Sequence, residues 1–108
     1  YLQQHKLKLL HRNFHSRFGE IDLIMQDKDT VVFVEVRQRQ NGIDHAIASI
    51  SPAKQRKLIK AAEYYMVKTS YDVACRFDAI AMDKEHNIEW LKNIIFMWEQ
   101  SKWILNNS

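Results

Sequence analysis

Apolar positions change period along this chain, and the changes mark out its elements. "RFGEIDLIMQ" (17–26) and "TVVFVEVRQ" (30–38) are nearly continuous apolar runs of strand length, the second rich in β-branched residues. "DKD" (27–29) between them predicts a turn, so the two runs are expected to form an antiparallel hairpin. "LKLLHRNFH" (7–15) predicts a strand before the hairpin and "ACRFDAIAMD" (74–83) one well after it. The period then becomes helical. Ser51 and Pro52 form an N-cap and first-turn pair, and the helix they open is expected to run to about Thr69. Leu58, Ile59, Ala62, Tyr65 and Met66 make its apolar stripe, with Gln55 in the stripe, Arg56, Lys57 and Lys60 opposite, and Lys54 on the flank. Of the rest, "YLQQH" (1–5) reads as the end of a helix and 39–50 as a loop with one helical turn. "KEHN" (84–87) reads as a turn and "IEWLKNII" (88–95) as a strand or short helix. The order (α)βββαβ plus a C-terminal element predicts an α/β domain. Its strands, apolar on both sides, call for a mixed sheet covered by helices on both faces.

Acids interrupt this pattern. Asp22 and Glu35 lie within the two hairpin runs, at equal steps from the turn, which places them on neighbouring strands at similar heights. Strict alternation groups Phe18, Glu20, Asp22 and Ile24 on one face, and Val31, Phe33, Glu35 and Arg37 on one face of the next strand. A buried carboxylate loses its water and needs compensation. Two readings supply it. One is a Mg²⁺ ion, which takes oxygen ligands and usually one or two carboxylates. The other is ion pairing with Arg17, Arg37 or Arg76.

Composition narrows the classes. The chain has 108 residues, enough for one domain with a modest core, and 46% hydrophobic and 27% charged residues are ordinary for a globular protein. It opens at Tyr1 rather than Met, which reads as a domain lacking part of its N-terminal helix. The net charge of +3 leans mildly toward an acidic partner. Cys75 is the single cysteine, so no internal disulfide forms, in keeping with a cytoplasmic protein. No run is long and apolar enough to predict a membrane span. Lys54, Arg56, Lys57 and Lys60 crowd the start of the helix, where the backbone dipole is positive. They are either a phosphate-binding face or a solvated one. Five scattered histidines (His5, His11, His15, His45 and His86) lack zinc-ligand spacing. Asp78 beside Arg76 reads as a structural ion pair. Trp90, Trp98 and Trp103 are candidates for stacking on bases; Trp90 reads rather as core or subunit-interface filling, while Trp98 and Trp103 in the apolar tail (96–108) fit a subunit contact that would make a homodimer.

The ordered set "RFGEIDLIMQDKDTVVFVEVRQR", "SPAKQRKLIKAAEYY", "CRFDAIAM" and "IEWLKN" resembles the YraN-like family of uncharacterised bacterial proteins. That family is similar to the restriction-endonuclease-like superfamily, in particular Holliday-junction resolvases. The resemblance implies a Mg²⁺- or Mn²⁺-dependent endonuclease acting on DNA, on branched or damaged substrates. Asp22, Glu35 and the backbone carbonyl of Val36 would hold the metal, Arg37 would act at the phosphate, and Gln55 would be the polar group of the following helix. Position 37 departs from the superfamily pattern, which has Lys there. Arg stays protonated, so it fits a phosphate clamp and not a general base. The alternative is a non-catalytic nucleic-acid-binding or assembly module that keeps the fold.

Overall fold

The computed structural model describes residues 1–38, 49–70, 72–85 and 87–94. The expected loop at 39–48, His45, His86 and the tail with Trp98 and Trp103 lie outside them. Five strands form one sheet in the order β1 (Lys8–Ser16), β2 (Gly19–Asp27), β3 (Thr30–Gln38), β4 (Cys75–Met82), β5 (Ile88–Leu91). The β1–β2, β2–β3 and β4–β5 pairs are antiparallel and β3–β4 is parallel. The parallel step needs a crossover, and the helix α1 (Pro52–Lys68) lies within it.

Local chemistry explains the element ends. The Ser51 side chain accepts from the Lys54 backbone N–H at 3.1 Å, and Pro52 follows in the first turn. At the other end Thr69 Oγ1 donates to the Tyr65 carbonyl. The β2–β3 hairpin closes through Lys28 and Asp29, with Lys28 at φ 56° and Asp27 paired to Thr30. The β1–β2 turn ends at Gly19, whose φ of +142° would strain any side-chain-bearing residue. "YLQQH" contributes a single 3-10 turn, Gln3–His5.

The helix side of the sheet holds the larger core. Leu58, Ile59, Ala61, Ala62 and Tyr65 of α1 pack with Phe14, Ile21, Ile24, Val31, Phe33, Phe77 and Ala79. Phe33 stacks on Phe77 with centroids 5.4 Å apart, and Tyr65 meets both Phe14 and Phe33 edge-on. Met25, Val32, Val34 and Ile80 form a second cluster on the opposite face, covered by Leu2 and Leu7 of the N-terminal segment. The result is a mixed sheet of restriction-endonuclease-like form with α1 laid across one face; among the described residues the other face is covered by the N-terminal segment and not by the second helix layer that the two-sided apolar strands suggest.

Strict alternation fails at one place in β2. Ile21 and Ile24 both belong to the helix-side core, whereas Leu23 and Met25 face the other cluster. The break falls at Asp22. Across from it on β1, between the pairs Arg12↔Leu23 and Phe14↔Ile21, sits Asn13 with a left-handed φ of 52°. The pleat is therefore re-set at this level, and Ile21 moves to the opposite face from the one alternation assigns it.

Candidate active site

The β2–β3 ladder ends at Leu23↔Val34, one step before Asp22 would meet Glu35. The hydrogen bonding of the last strand residues passes from backbone to side chain there: the Val36 N–H donates to Asp22 Oδ2 at 2.8 Å. A strand residue sends its N–H and C=O to the same edge. The Val36 carbonyl is thus aimed at the same opening between β2 and β3. Asp22 is half-buried, and Arg12, Asn13, Leu23 and Val36 join it around a shallow depression.

Glu35 sits one residue before Val36 and retains 6% of its exposure. Two cations approach it. Arg37 Nε lies 3.6 Å from Glu35 Oε1, and Lys54 Nζ of α1 lies 3.5 Å from the same oxygen. Both distances are long for charge-assisted contacts, which prefer about 2.7–2.9 Å. Burial pushes the Glu35 carboxyl above its ordinary value, and the Asp22 charge adds to this; Lys54 and Arg37 only partly oppose them. Arg37 carries its own deficit, since its Nε is buried and has no hydrogen-bond partner among the described residues.

The structure brings together Asp22, Glu35, Val36, Arg37 and Lys54. Lys54 stands apart from the cations with which the sequence groups it. Arg56, Lys57 and Lys60 are exposed, as a solvent-facing basic cluster should be. Lys54 instead turns its ammonium to Glu35. The signal for this is its helical position, since Lys54 precedes the core residue Leu58 by one turn and so flanks the sheet. Arg12, beside Asp22, escapes sequence reasoning, because the pairing of β1 with β2 is not readable from spacing. Gln55 directs Nε2 to the Ile50 carbonyl at 3.0 Å, bracing the approach to the helix. Glu20 is exposed and pairs with His15 Nδ1 at 3.1 Å.

Asp78 belongs to a separate network on β4. It accepts from Arg76 Nε at 3.1 Å, from Trp90 Nε1 at 2.9 Å and from the Asn93 N–H at 2.9 Å. Arg76 Nη1 extends the network to Asp27 at 3.0 Å. Burial works against the Arg76 charge, but its bonds to Asp78 and then Asp27 more than offset this and hold its pKa above the ordinary value. Among the described residues no group of three His, Cys, Asp or Glu side chains gathers as a metal cage, and no helix is long and apolar enough to cross a membrane.

The family comparison agrees with the motifs. The model of the uncharacterised protein family UPF0102 matches residues 1–82. A UPF0102 protein of Nitrosomonas eutropha is 56% identical over 94 residues, covering 86% of this chain and 81% of the relative. One from Nitrosomonas europaea is 51% identical over 96 residues, with 86% and 81% covered. A third, from Nitrosococcus oceani, is 48% identical over 99 residues, with 86% and 80% covered. The paired carboxylates of β2 and β3, the Ser-Pro start of α1 and the "CRFDAIAM" strand all fall within the matched span, and the chain belongs to the uncharacterised protein family UPF0102, the YraN-like family.

Proposed function

We propose that this chain is a divalent-metal-dependent endonuclease that hydrolyses DNA phosphodiester bonds, with branched or damaged DNA as its substrate. The observation that carries the reading is the incomplete compensation of Glu35. It is buried next to a second carboxylate, and its two cationic neighbours leave its pKa raised. A dication relieves that cost and the Asp22–Glu35 repulsion together. The donor set fits Mg²⁺ or Mn²⁺: two carboxylates and the Val36 carbonyl are all oxygen ligands, and coordination completed by water and phosphate oxygen is usual for Mg²⁺. When bound, such an ion supplies Lewis-acid polarisation of the phosphate.

The chain's own residues then divide the work. Asp22 is held by the Val36 N–H through one oxygen, so its orientation is set before any ligand arrives. Arg37 is available as a forked clamp on phosphate oxygens and stabilises charge that builds during displacement. Lys54 supplies a second cation from α1. Its ammonium lies 3.5 Å from Glu35 Oε1, so Lys54 is the group that takes the place of the Lys expected at position 37. Arg56, Lys57 and Lys60 extend the positive surface along the helix for duplex phosphates.

One observation favours a second reading, in which the fold is a nucleic-acid-binding module without catalysis. Lys54 and Arg37 already flank Glu35, forming an ion cluster that needs no metal. Calorimetric titration with Mg²⁺ and Mn²⁺, run beside cleavage of a panel of branched, nicked and linear DNA, separates the two. The nuclease reading expects cation binding that disappears in Asp22→Asn, and cleavage that disappears with it. DNA binding without cation binding or cleavage would leave the module.

A further inference from the structure

The flank of α1 that borders the β1–β2 turn carries a second feature. Tyr64 is 41% exposed, unusual for a residue whose ring packs with two others. Its centroid lies 6.0 Å from that of the half-buried Phe18 and 6.2 Å from Phe14. Cations border both accessible rings: the Arg17 guanidinium sits 4.9 Å over Phe18, and Lys68 Nζ sits 5.9 Å over Tyr64. At 100° per residue, Lys57, Tyr64 and Lys68 lie within about 40° of one another, and Lys60 is next to them. The start of the Lys57 side chain is against Gly19 at the end of the same turn. Arg17, Lys57, Lys60 and Lys68 are all exposed. Of the acids on this side, Glu63 points about 100° away around the helix from Tyr64, and Glu20 is paired with His15.

We infer that this flank is a stacking platform for unpaired nucleotides, with Tyr64 and Phe18 receiving bases and Arg17, Lys57, Lys60 and Lys68 receiving phosphates of one DNA single strand. Partly exposed aromatic rings, each with a cation over one face, match that ligand. Every base presents a π-face, while the backbone presents a negative charge at each nucleotide. A blunt duplex shows the platform phosphates but hides its base faces. Lys54 links the two regions, since it lies one helical turn before Lys57 and reaches Glu35. A strand held along α1 therefore leads to the candidate active site. The inference rests on the nucleic-acid reading above and names the structural class of DNA: substrates with a single-stranded arm or gap.

The test measures binding with metal chelated, so the absence of cleavage bears only on the nuclease reading. The affinity of the full chain for fluorescent oligothymidylate and for a blunt duplex of equal length is compared across Tyr64→Phe and Tyr64→Leu. Leucine keeps apolar packing against Phe14 and Phe18 but has no ring. Thermal midpoints of both variants check that the fold is intact. Base stacking on one aromatic ring predicts about a tenfold or greater loss for Tyr64→Leu on the single strand, parental binding for Tyr64→Phe, and no change for either on the duplex. A Lys57→Gln, Lys68→Gln double variant lowers the salt slope on the single strand by about 0.7 for each phosphate that the protein no longer neutralises. Single-strand affinity that ignores Tyr64→Leu overturns the platform, as does an equal loss on duplex. Duplex binding by a protein that does not hold the single strand overturns the platform and leaves the nucleic-acid reading standing. Failure to bind either DNA overturns both.

Discussion

Glu35 and Asp78 are the two charged side chains that the described residues bury, and they lie on adjacent, parallel strands. Their surroundings differ in kind. Asp78 has no exposed surface, yet it receives an indole N–H, a backbone N–H and a guanidinium N–H, all at 2.9–3.1 Å. Its donors come from β4, from β5 and from the segment just beyond, so one carboxylate fastens the far edge of the sheet. Among the described residues Glu35 has only long approaches from two flexible side chains, and it faces a second acid. The difference teaches how to separate structural acids from candidate functional ones within a single sheet. A carboxylate whose lone pairs are filled by rigid donors is part of the frame. One that the fold buries and then leaves short of partners has room for a ligand.

The largest expected effect tests the first half of this contrast. Asp78→Asn removes the fully buried charge that balances Arg76 and turns part of an acceptor set into a donor. Breaking a buried ion pair costs about 3–5 kcal/mol, so chemical denaturation should find the variant destabilised on that scale. Asp27 remains to hold Arg76 Nη1, which keeps the loss finite. A variant as stable as its parent would mean that the network contributes nothing, and the contrast with Glu35 would lose its basis.

Catalysis, if the proposed reading holds, tests the second half. Arg37→Ala should lower the cleavage rate by about 10²–10³, the usual cost of removing one transition-state charge interaction. Arg37→Lys should retain most of the rate, because position 37 needs positive charge near the phosphate. Lys54→Met keeps the side-chain stem across the helix flank but removes the ammonium beside Glu35. Its rate should fall by a similar factor with substrate affinity little changed, because Arg56, Lys57 and Lys60 still hold the phosphates. A Lys54→Met variant that weakens binding and leaves the rate unchanged would return Lys54 to the basic surface cluster.

Much of this architecture is legible in the sequence. Residues 30–38 read as β3 end to end, and Ser51-Pro52 locates the start of α1, because a β-branched run suits a buried pleated strand and a cap is a local signal. Equal spacing about a two-residue turn places Asp22 level with Glu35, and the ladder follows that register up to the pair before them. The faces are harder to read. The pleat is re-set at Asp22 by Asn13 on the neighbouring strand, and no spacing within β2 reports a conformation on β1. Sequence places Lys54 on the flank of α1, but only the packing of α1 on the sheet decides which flank residues reach Glu35. The closing role of Asp78 is half visible. Arg76, two residues away on one strand face, gives the ion pair, while Trp90 and Asn93 come from an element that the sequence leaves between strand and helix.

The smallest expected effect is also the most discriminating, because it applies the same acid-to-amide exchange to Glu35 and expects the opposite sign. Burial and Asp22 raise the Glu35 pKa above 4.5 in the folded protein. Below that pH the group is protonated in both folded and unfolded chains, and its contribution to stability is intact. As pH rises from 4.5 through the higher folded value, the unfolded chain releases its proton first and the fold loses stability. Above that folded value the cost is fully developed. Glu35→Gln removes it, so the variant should melt above its parent at about pH 7, and the two should converge as pH falls toward 4.5. Divalent cation should then reverse the order. A ligand that binds only the folded parent adds about 2.7 kcal/mol at a hundred times its dissociation constant, and the variant, short of one carboxylate, should gain little. Melting curves at about pH 4.5 and about pH 7, each with and without Mn²⁺, contain the whole test. If Glu35→Gln melts below its parent at neutral pH without metal, the charges of Lys54 and Arg37 suffice, Glu35 is a frame residue like Asp78, and the case for a metal at this end of the sheet fails.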